Sequence, residues 1–182
     1  MKKFLTFFIA AFCGVGSVFA NYDYHHIKIG DLYYNLTVHT QLDKQGHEYV
    51  VDRTAVVVEN GRQGVWGPYY ADLVEVHVPA SVSYLEQSFR VIELSEGTFH
   101  SCKHITTVTL PTTINKIPDS AFMYCDSLVS ITIPNTVTEI GNYAFDQCKT
   151  LRTIDIPASV STIGFCAFFY CDSLETVTFH EG

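Results

Sequence analysis

Between Ile105 and Cys171 the chain repeats one pattern in fixed phase. Pro111, Pro134 and Pro157 stand 23 residues apart, and Phe99, Phe122, Phe145 and Phe168 keep the same step, as do Cys102, Cys125, Cys148 and Cys171. Unrelated loops would not hold three residue types in register. A fixed period of roughly 20–50 residues marks a solenoid, in which each coil touches mainly its neighbours along one axis. Equivalent side chains should then lie over one another, with the phenylalanines forming one row and the cysteines another.

The periodic part begins at Leu73. Leu73-x-x-Val76-x-Val78-Pro79 returns from Ile105 to Pro111, from Leu128 to Pro134 and from Leu151 to Pro157, and once more as Leu174-x-x-Val177-x-Phe179-His180. Alternation with period two predicts a short strand with one buried face. Proline then ends it, because proline cannot donate to the ladder. A second apolar pair follows in each coil (Ile114 and Ile117, Val137 and Ile140, Val160 and Ile163), and then a segment such as 141–148, where a turn of helix is expected across Ala144-Phe145. Pro79 to Pro111 spans 32 residues, nine more than the other steps. The excess, within 80–90, reads as a hairpin or lobe on one flank and carries Tyr84 and Phe89.

Residues 1–20 read as a secretory signal peptide. Lys2 and Lys3 precede the apolar run Phe4 to Phe12, and Val18-Phe19-Ala20 makes a small-x-small site with cleavage near Ala20-Asn21. The apolar run is too short for a membrane span, and no other stretch is long enough, so no transmembrane segment is expected after leader removal. Cys13 would serve a lipoprotein reading, but bulky Phe12 before it argues against one. Losing the leader loses two lysines and no acid, taking the net charge from −8 to −10. With no basic cluster to offset it, nucleic acid is excluded as a partner and anionic membrane surfaces are poor candidates.

Residues 21–72 do not repeat. A polar, aromatic start (Asn21 to His26) leads into strand formers broken by Gly30-Asp31. A second run, Thr54 to Val58, precedes the hairpin signal Asn60-Gly61. These read as an N-terminal β-rich cap, because a terminal coil exposes an apolar face. Residues 73–182 form the solenoid of four to five coils, the last incomplete. The end at Gly182 leaves two readings open: a fragment of a longer array, or an end covered by a partner or second copy.

With these residues in hand, the chain resembles the BspA-type leucine-rich repeats of secreted and surface bacterial proteins. The matching pattern is Ile140-Gly141-x-x-Ala144-Phe145-x-x-Cys148-x-x-Leu151-x-x-Ile154-x-Ile156-Pro157, with a following copy from Ile163 to Leu174. The resemblance implies a right-handed leucine-rich repeat solenoid of parallel strands with short helical turns, and an adhesin-like interaction role. Gly30 to Leu36 looks like the family's usual lead-in. Ser95 and Pro118 stand where the pattern has Gly, Thr98 where it has Ala, and His180 where it has Pro. Animal-type repeats place Asn after the strand. Here Ser81, Thr113, Thr136 and Ser159 stand at that level, where their hydroxyls can satisfy backbone groups at the bend.

Between the inward residues of the strands lie Glu75 and His77, Thr107 and Thr109, Ser130 and Thr132, Thr153 and Asp155, and Thr176 and Thr178. The bland reading is that Thr is a good polar strand former. The functional reading is a docking face for a protein or glycan, such as a host matrix or cell surface. A remote reading is ice binding by a Thr ladder, which Asp155 and the expected curvature oppose. For the cysteine column, packing alone explains the recurrence and free buried thiols are expected, with disulfides next and zinc behind them. Cys166 stands apart, with Gly97, Ser120 and Tyr143 as register mates. It reads as an exposed, reactive thiol or a partner for Cys171. The histidines fall in different columns and form no metal set. Neither a catalytic motif nor a cofactor signature is present, so the expectation is a non-enzymatic protein without cofactor.

Overall fold

In the computed structural model the structure describes residues 4–8, 19–42, 45, 48–58, 70 and 72–181. The Asn60-Gly61 signal and Cys13 lie outside them. The first four strands are β1 (Phe4–Phe8), β2 (Phe19–Ile29), β3 (Leu32–Leu42) and β4 (Glu48–Val58). They pair antiparallel in sequence, with β2 and β3 joined by the Gly30-Asp31 turn, where Gly30 has φ 60°. On β3 the alternation is clean: Leu32, Tyr34, Leu36, Val38 and Thr40 are buried, and the residues between them are half-exposed. Residues read as leader supply β1 and the first residues of β2, at the sheet's outer edge. The Ala20-Asn21 bond lies within β2, and His25 is in that strand too.

The solenoid opens with β5 (Glu75–His77) and the insert forms β6 (Ser81–Tyr84) and β7 (Gln87–Leu94). Leu85 and Glu86, at φ 49° and 62°, make the two-residue turn between them, the conformation that matches strand twist in a tight hairpin. The insert is a hairpin, but it stands on no flank. Its β7 pairs parallel with β4, completing a six-stranded sheet of order β1-β2-β3-β4-β7-β6. Phe89, Val91 and Leu94 are the buried residues of β7, and Val82 is buried on β6. The insert therefore ties the cap to the first coil.

The coils themselves give β8 (Thr107–Thr109), β9 (Lys116–Ile117), β10 (Ser130–Thr132), β11 (Glu139–Ile140), β12 (Thr153–Ile156), β13 (Thr162–Ile163) and β14 (Thr176–Phe179). All pair parallel at the 23-residue step, as in Ile117↔Ile140↔Ile163. The ladders are β5-β8-β10, β12-β14 and β9-β11-β13. The outward strands thus form two sheets, not one unbroken sheet. At the boundary the Thr150 hydroxyl lies 3.0 Å from the Leu128 carbonyl and donates to it or to Asp126.

No helical turn spans the Ala-Phe segments. Residues 97, 120, 143 and 166 and residues 101, 124, 147 and 170 all have positive φ, which stops helical propagation. Backbone donors instead alternate. Ser120, Phe122 and Tyr124 donate to the carbonyls of Asn142, Ala144 and Asp146 one coil on, while Ala121, Met123 and Cys125 donate three residues back in their own coil. The same alternation holds one coil earlier for Gly97 to Cys102. Half the turn's donors are satisfied only by stacking, so a coil in isolation would leave them unpaired.

The interior is columnar. Phe99, Phe122, Phe145 and Phe168 form one row with ring centroids 5.5, 5.3 and 5.3 Å apart and planes within 11° of parallel. Offset stacking of this kind adds to burial. Tyr70 closes the row at 5.4 Å from Phe99, donating its hydroxyl to the Val58 carbonyl and accepting from the Tyr33 amide.

Candidate binding surface

The outward strand residues are held by the columns beneath them. Val76, Val108, Ile131 and Ile154 are buried under the face, and Cβ alternation turns their neighbours outward. Glu75, His77, Thr109, Ser130, Thr132, Thr153, Asp155, Thr176 and Thr178 are exposed and Thr107 is half-exposed. Register places Glu75, Thr107 and Ser130 in one row and His77, Thr109 and Thr132 beside it, and in the separate β12-β14 sheet it pairs Thr153 with Thr176 and Asp155 with Thr178. The structure therefore brings the ten candidate side chains to one face. His77 Nε2 lies 3.9 Å from the Glu75 carboxylate, both well exposed. The insert divides: Tyr84 is half-buried, and Phe89 is buried at 1%. Docking through Phe89 needs an exposed ring, so that residue belongs to the core.

At the head of the face lies a cavity of about 420 Å³ between the Gly30-Asp31 turn, β5 and β6. Asp31, Glu75, His77, Ser81 and Ser83 line it, and Tyr34 is among its apolar lining. In the sequence Glu75 and His77 stand out on a strand, whereas Asp31 reads only as a turn residue. No periodic signal links 31 to 75, because the cap lies outside the repeat.

Behind the face, the five described cysteines are free. The Sγ of Cys125, Cys148 and Cys171 donates to the carbonyl of Phe99, Phe122 and Phe145 respectively, at 3.2, 3.2 and 3.1 Å. Burial pushes the Cys102 thiol up to about 12 and the Cys171 thiol to about 11, and it raises Cys125 and Cys148 as well. Cys125, Cys148 and Cys171 are packing groups whose weak donors satisfy the coil before, whereas the Cys102 Sγ lies 3.8 Å from the His100 carbonyl of its own coil. Cys166 is half-buried, at φ 52°. Thr136 and Ser159 donate to the Ile114 and Val137 carbonyls at 2.7 Å, the role expected of hydroxyls at that level. Thr113 Oγ1, at the same level, is buried without a partner.

Side chains also fix the coil-to-coil register. Asp119 accepts from the Asn142 amide and side chain, and Asn142 Oδ1 accepts from the Phe165 amide. Asp126 lies between Lys103 and Lys149 of adjoining coils, at 3.8 and 3.2 Å. Three of the departures from the repeat pattern have local causes. Ser95 donates its amide to the Val57 carbonyl and the Thr98 hydroxyl lies 3.3 Å from the same oxygen, because their neighbour is β4 and not another coil. His180 uses an amide proton that proline lacks to reach the Ile156 carbonyl.

A model of the BspA-type leucine-rich repeat region matches residues 92–182, half of the chain. The chain belongs to that family. No curated protein sequence matches it. Among solved structures, it is similar to a leucine-rich repeat protein from Bacteroides capillosus at 26% identity and a TM-score of 0.62, covering 85% of this chain and 97% of that one. A leucine-rich repeat protein from Bacteroides ovatus matches at 25% identity and a TM-score of 0.50, over 85% of this chain and 41% of that chain. The pneumococcal vaccine antigen PcpA, at 20% identity and a TM-score of 0.59, shares the fold over 85% of this chain and 38% of its own. The BspA-type match begins at Ile92, inside β7, where the insert hands over to the regular coils. Among the described residues no helix is long and apolar enough to cross a membrane.

Proposed function

We propose that this BspA-type protein is a secreted or cell-surface, non-catalytic binding module that docks a protein or glycan on its hydroxyl-rich strand face. The observation that carries the reading is the face itself: nine exposed polar side chains and one half-exposed, in rows set by coil pairing and backed by a packed core. Short hydroxyls there suit an adaptable, hydrogen-bonding interface, and little side-chain entropy is lost when they order. The leader motif supports export. The test is an array of glycans and matrix proteins probed with the parent chain and with Thr132→Lys plus Asp155→Lys. Loss of binding in the variant supports the face, and unchanged binding moves the site elsewhere.

A second reading, one stretch of a longer surface array, is favoured by the exposed Ile163, Val177 and Phe179 of the last coil. Reading the coding sequence beyond Gly182 tests it, since further coils favour the array.

A further inference from the structure

The cavity at the head of the strand face joins four features. Its volume, about 420 Å³, falls within the roughly 300–1,000 Å³ of sites that take small groups. Two carboxylates, Asp31 and Glu75, line it and, among the described residues, no Lys or Arg does, in a chain that already carries net charge −8. Its apolar lining, Ile29, Leu73 and Val76 among it, offers contact to a hydrocarbon stem. The fourth feature is the strand beside it. β5 is the terminal strand of the β5-β8-β10 sheet, and all three of its residues line the cavity. A terminal strand offers backbone donors and acceptors to an added extended chain.

We propose that this cavity anchors an extended basic segment of a partner polypeptide. Its backbone runs along β5, and a Lys or Arg side chain enters the cavity to meet Asp31 and Glu75. The methylene stem covers the apolar lining while the charged head reaches the carboxylates. A sugar's hydroxyls would hydrogen-bond to these carboxylates but leave their charge unneutralised, whereas a cationic side chain supplies both donor and charge, so charge complementarity selects a basic peptide. The proposal rests on the reading of the strand face as a docking surface and names the partner chemistry at one end of it.

The test titrates acetyl-Val-Lys-Val-amide into the isotopically labelled whole chain and follows backbone amide shifts. Saturable shifts centred on Gly30, Asp31, Glu75, Val76 and Ser81 are expected. The norleucine analogue, or the lysine peptide with the Asp31→Asn plus Glu75→Gln variant, should bind about five-fold more weakly, as two exposed ion pairs imply. Both substituted positions are exposed, and an unchanged melting midpoint will confirm that the variant folds. Methylating the peptide's central amide should weaken binding as well, by removing a strand-edge donor. Equal binding of the norleucine peptide, or shifts away from the cavity, overturns the proposal. Failure here leaves the wider docking reading intact, because the Thr132→Lys and Asp155→Lys array experiment probes coils that do not line the cavity.

Discussion

The coil around Phe145 and the coil around Phe168 carry the same pattern but not the same environment. Ile140, Phe145 and Cys148 are fully buried, whereas Ile163 is 41% exposed and Phe168 and Cys171 are half-buried. Ile156 is 2% exposed and its counterpart Phe179 is 65% exposed. Phe145 is stacked on both sides, and Phe168 has one stacked neighbour among the described residues. Burial in this fold is therefore a property of the stack: the same residue type is less buried where it is flanked once.

The contrast should be largest in thiol chemistry. Alkylation followed site by site should label Cys166 first, then Cys171, with Cys125 and Cys148 slower by on the order of a thousand-fold, because they react only through opening of the stack. Uniform labelling would mean that the column is not packed. The Cys171 rate should climb about ten-fold per pH unit toward its raised value near 11. The raised thiols also set a sign for stability. Their contribution is complete below the unfolded thiol value near 9 and is lost as pH rises through about 11 to 12. Urea midpoints should therefore fall across that alkaline window.

Next in size is Phe145→Ala, expected to cost about 4 kcal/mol, against about half that for Phe168→Ala. Equal losses would contradict the difference in burial. Gly141→Ala should cost about 3 kcal/mol, since an added Cβ meets backbone atoms of Asp119 and Pro118 at 2.6 and 2.7 Å. Gly164→Ala meets Asn142 and Gly141 backbone equally closely, but a coil held on one side can shift, so its cost should be smaller. Thermal unfolding of the four variants ranks them. The smallest effect separates bend from face. Thr136→Val removes the hydroxyl bond to Ile114 and should cost about 1 kcal/mol, whereas Thr132→Val on the exposed face should stay within about 0.5 kcal/mol.

Much of the coil architecture was legible. The 23-residue step fixes which residues stack, so the Phe row, the Cys column, the outward hydroxyl rows and the bend hydroxyls of Thr136 and Ser159 could be read from spacing. The Ala-Phe segments suggest a helical turn where none forms, because the positive φ values at Ser120, Tyr124, Tyr143 and Gln147 sit on residues that carry no glycine-like signal. The insert was placed on a flank because nothing local in 80–90 reveals that β7 will pair with β4. Tyr70 escaped notice for a related reason: it plugs the Phe row from outside the repeat.

The sequence by itself determined the repeat, its period and the inward and outward faces, since those follow from side-chain alternation and from residues that recur in phase. Only the tertiary structure decided how the cap meets the first coil, which buried Phe89, drew Ser95 and Thr98 to the Val57 carbonyl and set Asp31 and Glu75 on one cavity. Contacts between equivalent coils are written many times in the chain and so can be read from it. Contacts between cap and coil occur once, between segments far apart in sequence, and exist only when the chain has folded.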